Sequence, residues 1–290
     1  NRANPKEAAQ ALQGQVAGVE VNRLSGRPGE GFRINIRGLN SFEPTQKSGF
    51  ADEQDRFGRG LPAKSQPLVV VNGVIGANLN EINPSDIETI DVLKDASSTA
   101  VYGARGANGV IIVTTKKGSS GKPSFSYNGY YGVKGKGKMP EMMDAQTYYG
   151  LYNDPKFKRG FTDQEVYNVE NGISTDWVDL VTQNGIQQNH TFSVSGGSES
   201  TQYSFSASKL EEEGMIRHSV FDRLSLNGSI DSQVSDRVNI GFTSYVTLSE
   251  QNYGSPESAR AAMRARPTGT VYFDDIVPVS YTHLTLPTKA

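Results

Sequence analysis

The segment Gly103-Ala-Arg-Gly-Ala-Asn-Gly109 has the glycine density of a phosphate-binding loop. Such a loop follows a strand and opens a helix, so that N–H groups at the helix N-terminus meet the anion. Here the order is reversed: a short helix signal precedes the glycines and the β-branched run Val110 to Thr115 follows them. No Gly-Lys-Ser/Thr is present, and the glycines read as backbone freedom at a helix-to-strand bend. Glu211-Glu212-Glu213 offers three carboxylates, but neighbours on one strand end diverge, whereas glycoside hydrolysis needs two facing across a bond. They read as a solvated loop edge. Asp52, Glu53 and Asp55 lack the glycine and the twelfth-position glutamate of a calcium hand, and read as a solvated loop. Ser97 and Ser98 have no basic partner nearby, so a serine nucleophile is unsupported. Cysteine is absent and histidines number 3: His190, His218 and His283. Thiolate zinc sites, disulfides and cysteine nucleophiles are excluded. No catalytic, metal or cofactor site is expected.

Binding readings remain, and composition narrows them. The 29 basic and 31 acidic residues leave a net charge of −2, against the basic excess of a nucleic-acid binder. The 290 residues allow about two domains. Glycine is frequent, with 31 residues. No run approaches the ~20 apolar residues of a membrane helix. A membrane β-barrel stays open, because its strands alternate and average out as polar.

Residues 4–18 predict a helix, with Asn4 as N-cap, Pro5 at the first helical position, Glu7 completing a capping box and Gly18 as the stop. A short strand at 19–21 and a Gly/Pro turn lead into Phe32-Arg-Ile-Asn-Ile-Arg37, which alternates as a half-buried strand does. Residues 38–66 form a long polar loop. Residues 67–71 are a buried-type strand, and Asn72-Gly73 signals a tight hairpin. A short helix from Pro84, a strand at 89–93, a small helix at 95–102 capped by Asp95 and a strand at 110–115 complete a compact α/β region ending near residue 118.

The remainder changes character. Residues 125–133 are strand-like. Residues 139–186 are mixed, with a helix near 144–152 and then a loop through Trp177. Four amphipathic strands follow. Phe192 and Val194 share one face, as do Tyr203, Phe205 and Ala207; Leu224, Leu226 and Ile230; and Val238, Ile240, Phe242, Val246 and Leu248. Serine, asparagine and threonine occupy the opposite faces. The segments run about ten residues, the length of a tilted membrane strand, and short and long connections alternate as in an outer-membrane barrel. A soluble sandwich with one face on a core fits the alternation alone.

Several motifs together resemble one family. Leu12-Gln-Gly-Gln-Val-Ala-Gly-Val19, Ser25-Gly-Arg-Pro-Gly29, Arg33-Ile-Asn-Ile-Arg-Gly38, Pro67-Leu-Val-Val-Val-Asn-Gly-Val74 and the 34-residue block from Ile82 to Thr115 occur in order. They resemble the plug domain of SusC/RagA TonB-linked outer membrane proteins. The turn at 194–198 and residues 224–238 resemble the start of that family's barrel. The family commonly has Asp at the position of Asn72, which makes the same turn.

The resemblance implies an α/β plug domain followed by antiparallel strands of an incomplete transmembrane β-barrel. Residues 1–118 would be the plug and residues 119–278 the first part of the barrel, about five strands with a long extracellular segment at about 139–186. Residues 279–290 read as a non-native tail. It implies TonB-dependent import of oligosaccharides or other nutrients in the bacterial outer membrane. Expected partners are the TonB complex, a SusD-like surface lipoprotein, an oligosaccharide or peptide ligand and outer membrane lipid, with no nucleic acid. The rivals are a siderophore or cofactor receptor of the same architecture and a soluble β-rich carbohydrate-binding protein. On this reading Arg33, Arg37 and Arg105 are plug-to-barrel contacts, matched by wall carboxylates or water. Asn40, Phe42, Phe50, Arg56 and Phe57 are substrate-facing loop candidates. Tyr148, Tyr149 and Trp177 are sugar-stacking candidates, with an interfacial aromatic girdle or ordinary packing as the alternatives.

Overall fold

Asn72 and Gly73 both take left-handed backbone, with φ 48° and 86°, as a two-residue hairpin turn requires. They join β3 (Leu68–Val71) to β4 (Val74–Ile75). The computed structural model describes residues 8–23, 25–36, 66–137, 139–157, 160–273 and 277–278. The chain divides into two compact units.

The first unit comprises Asn1–Tyr130, Gln188–Leu210 and Asp222–Glu250. Its described part begins with α1 (Ala8–Ala11), which ends well before the stop expected at Gly18. Gly14 and Gly18 take φ 71° and 76°, which no right-handed helix accommodates. The expected cap at Asn4 lies outside the described residues. β1 (Val19–Arg23) pairs antiparallel with β2 (Phe32–Ile36). A second sheet has the order β4-β3-β6-β5, where β5 is Ile87–Leu93 and β6 is Val110–Thr115. β3 and β6 are parallel, while β5 runs antiparallel to β6. Val110, Ile111 and Val113 of the central β6 are fully buried. Ile111 and Val113 join a core that includes Leu12, Val21, Ile34, Ile36, Leu79 and Ile82. α2 (Ala96–Thr99) runs on as a 3-10 turn through Gly106, broken at Gly103 by φ 58° and ψ −148°. Asp95 holds the N-cap position, but its side chain makes no capping bond.

Five long strands then lie in the order β11-β10-β9-β8-β7, an antiparallel up-and-down wall. They are β7 (Gly121–Lys134), β8 (Gly185–Gly197), β9 (Thr201–Glu213), β10 (Ser219–Ser235) and β11 (Val238–Tyr253). All are longer than the ten residues expected. In the three inner strands, β8 to β10, burial is inverted relative to a soluble sandwich. Phe192, Phe205, Leu226 and Ile230 are 40–50% exposed, whereas Thr191, Ser208, Ser225 and Ser229 are 2–4% exposed. A soluble sheet buries its apolar face, so these strands do not fit the soluble β-rich reading. Polar groups line the covered side, as they do in a barrel lumen.

The second unit comprises Tyr131–Gln187, Glu211–Phe221 and Gln251–Ala290. Its helices are α3 (Ala145–Tyr152), α4 (Asp163–Glu170), α5 (Trp177–Val181) and α6 (Pro256–Arg264). The stretch expected to be loop from about 153 to Trp177 therefore holds α4, and Trp177 opens α5. Thr162 and Glu165 form a full capping box for α4, a signal present in the sequence. Trp177, Val178, Val181 and Ala262 form the small core. No helix among the described residues is long and apolar enough to cross a membrane, which says nothing about strands.

Candidate functional site

Two consecutive 3-10 turns, Leu79–Glu81 and Pro84–Asp86, carry the contacts between the α/β region and the strand wall. Asn78 caps the first turn by accepting from the Asn80 N–H, and Asn83 caps the second by accepting from the Ser85 N–H. Such short turns leave carbonyls at their C-terminal ends without internal partners. The wall supplies them. Arg223 on β10 donates from Nη1 to the Asn80 main-chain oxygen at 2.6 Å. The Tyr245 hydroxyl on β11 donates to the Glu81 main-chain oxygen. The Asn83 amide donates to Thr191 Oγ1 on β8 at 3.2 Å. Thr191 passes the bond on to Ser208, and Ser208 to Asn189. Lys117 and Asp231 add an ion pair at 3.4 Å.

Beside these contacts lies a polar cavity of about 330 Å³. Asp86, Glu88, Lys116 and Lys117 line one side, and Thr191, Ser193, Ser204, Ser206 and Asn227 line the other. Asn227 Oδ1 is buried without a hydrogen-bond partner among the described residues. A cavity this roomy and polar suits water that satisfies it. Burial pushes the Asp86 carboxyl above its ordinary value, outweighing the Ser206 hydroxyl and the Lys116 ammonium, which favour the anion. Nothing in this arrangement resembles a nucleophile, base and oxyanion site. It can hold the α/β region against the strand wall through hydrogen bonds to main-chain and side-chain oxygens.

A family model described as the TonB-dependent receptor plug domain matches residues 1–110. TonB-dependent receptor P26 of Formosa agariphila is 32% identical over 277 residues, covering 92% of this chain and 26% of that protein. TonB-dependent receptor SusC of Bacteroides thetaiotaomicron is 31% identical over 280 residues, covering 92% and 25%. The solved structure of the RagAB peptide importer in its closed-closed state matches with a TM-score of 0.70 at 25% identity, covering 88% of this chain and 30% of that one. The chain belongs to the SusC/RagA-type TonB-dependent receptors. It spans about a quarter of the length of the curated relatives it matches.

In this receptor chain the two 3-10 turns belong to the plug, and β7 to β11 are barrel strands. The residues singled out from sequence fall in different places. Asn40, Phe42, Phe50, Arg56, Phe57 and Arg37 lie outside the described residues, as do Asp52, Glu53, Asp55, His283 and the stretch 279–290. Arg33 sits on β2 opposite Asn22, with its Nε buried and unpartnered among the described residues. Arg105 is exposed at the bend, its guanidinium lying against Gly76. Trp177 is 6% exposed and donates from Nε1 to the Arg266 oxygen at 2.9 Å. Tyr148 lies 4.6 Å from Tyr152 between ring centroids, and Tyr149 lies 4.8 Å from Phe161. Glu212 corrects an expectation: far from being a solvated loop edge, it is 3% exposed on β9 and paired with Lys134.

Sequence reasoning missed Asn80, Asn83, Arg223 and Tyr245. One signal was available for Arg223. It has the same strand parity as Ser225 and Asn227, so a lone cation stood on the polar face of β10. The plug partners were not legible, because main-chain carbonyls carry no residue code.

Proposed function

We propose that the full-length receptor imports oligosaccharides or peptides across the bacterial outer membrane, with its plug closing the barrel lumen. The observation that carries this reading is the inverted wall. Its apolar residues face outward, as lipid requires, and its hydroxyls and amides face a plug. In this reading residues 1–118 are plug and residues 119–278 begin the barrel, with about 139–186 on the outer surface. The TonB complex draws on the plug's N-terminal side, and a SusD-like lipoprotein delivers ligand from outside. The loop at 38–66 faces the ligand cavity through Asn40, Phe42, Phe50, Arg56 and Phe57. Arg33, Arg37 and Arg105 meet parts of the wall beyond these five strands. Tyr148 and Tyr149 offer ring faces to sugar, whereas Trp177 is buried in the small core beside them and holds that lobe together. The receptor performs no bond chemistry on its cargo.

The test is uptake by cells carrying the full-length receptor, its deletion, or a version lacking residues 38–66. Labelled oligosaccharides, peptides and iron siderophores are the probes, with and without collapse of the inner-membrane proton gradient. The proposal expects energy-dependent uptake of an oligosaccharide or peptide that deletion abolishes, and loop removal that alters uptake while the barrel still assembles. Uptake of siderophore alone would assign it to iron acquisition. Uptake unchanged by deletion would remove the import reading.

A further inference from the structure

We infer that Arg223 and Tyr245 are positioning residues that grip the plug by the carbonyl end of its Leu79–Glu81 turn and hold the lumen closed. The inference rests on the reading that these strands form a channel wall closed by the plug. It goes further in naming which wall residues set the closed position and what they recognise.

Three observations carry it. The Ile82 N–H returns to the Leu79 oxygen, so the next two carbonyls, of Asn80 and Glu81, project beyond the turn. These are the two that Arg223 and Tyr245 take. Arg223 is 5% exposed, and a buried guanidinium needs its donors engaged; the Asn80 oxygen takes one of them at 2.6 Å. Asn80 is also a junction within the plug. Its side-chain oxygen accepts from the Phe32 N–H at 3.2 Å, and its side chain lies against Gly31 so closely that a Cβ there would sit 2.3 Å from it. The wall therefore grips a residue that ties β2 to the turn, and fixing Asn80 fixes the β1–β2 hairpin with it. Because the acceptors are main-chain oxygens, the grip tolerates side-chain change on the plug but not loss of the wall donors.

The experiment uses the full-length receptor in planar bilayers, with Tyr245→Phe, Arg223→Lys and Arg223→Ala variants and a plug-deleted control. Heat-modifiable migration in detergent gels reports that each barrel is folded. Tyr245→Phe removes one oxygen and keeps the ring. The inference expects ion leak through Arg223→Ala to rise about tenfold or more, the shift expected from losing a hydrogen bond to a charged group. Arg223→Lys should recover part of the seal. Hydrogen exchange should quicken at residues 79–86 in Arg223→Ala and Tyr245→Phe, while β3 and β6 stay protected. Leak and exchange equal to the unmodified receptor in folded variants would overturn the grip. A plug-deleted receptor that does not conduct would overturn the channel reading beneath it, and so tells the two failures apart.

Discussion

The Asn83 side-chain amide donates to Thr191 Oγ1 at 3.2 Å, joining residues 108 apart in sequence. Both are nearly fully buried. Asn83 also caps its own turn through Oδ1, so one side chain serves the local fold and the plug-to-wall contact together. Asn83→Ala should cost about 1–3 kcal/mol, since a buried donor and acceptor lose their partner at once. Urea titration of the full-length receptor, followed by exchange at residues 79–86, measures it. A change within a few tenths would contradict the double role.

Gly109 should tolerate no side chain. It takes φ 93°, and a Cβ would lie 2.7 Å from Ile36 Cδ1 and 3.2 Å from the Leu93 oxygen. Gly109→Ala should destabilise the plug by more than about 1 kcal/mol, as replacements at positive φ do. The same titration reads it, and a neutral result would mean the bend relaxes freely.

Acidification should tighten the plug at Asp86. Its folded pKa is raised by burial, so the folded state binds more protons than the unfolded state between the ordinary carboxylate value and the raised one. Stability then falls as pH rises through that window and recovers as pH drops. Asp86→Asn should flatten the dependence and stabilise the plug at neutral pH. Exchange at residues 84–88 across a pH series checks this, and an unaltered slope in the variant would refute it.

The second compact unit should respond with the opposite sign. Burial works against the Glu165 charge, but the Thr162 N–H, the Thr268 hydroxyl and Arg266 outweigh it and hold its carboxyl below the usual value. Its contribution is complete above the ordinary carboxylate pKa and is lost as pH falls through the lowered one. Trp177 is the single tryptophan and bonds to the Arg266 oxygen, so its fluorescence reports this network. Emission should shift on acidification, and Glu165→Gln should remove that shift.

Lipid contact is testable at Leu226, which is 46% exposed on β10 between the buried Ser225 and Asn227. Leu226→Arg should cost about 2–4 kcal/mol in a bilayer if it lies near the midplane. On a water-facing surface the same change is nearly neutral. Folding titrations of the full-length barrel into vesicles separate the two.

Much of the architecture was legible because local physics dictates it. Asn72-Gly73 prescribes its hairpin through left-handed backbone, and β6 announces itself as a run of Val and Ile. The alternation in β8 to β11 fixed which side chains share a face. Less was legible where signals compete. Gly14 cut the first helix short, and the capping box of Thr162 and Glu165 lay inside a stretch read as loop. Glu212 looked solvated among three glutamates, until β9 carried it to the covered face beside Lys134.

Local chemistry sufficed for the strand period, the turns, the absence of thiol chemistry and a motif set specific enough to place the chain in its family. It could not determine which face of the wall is covered. Alternation is symmetric, so Phe205 inside and Ser206 outside would give the same pattern. Tertiary structure broke the symmetry by laying the plug against the hydroxyl face. It also chose the partners. Arg223 meets the Asn80 carbonyl across 143 residues, and a backbone oxygen carries no side-chain signature for sequence to reveal.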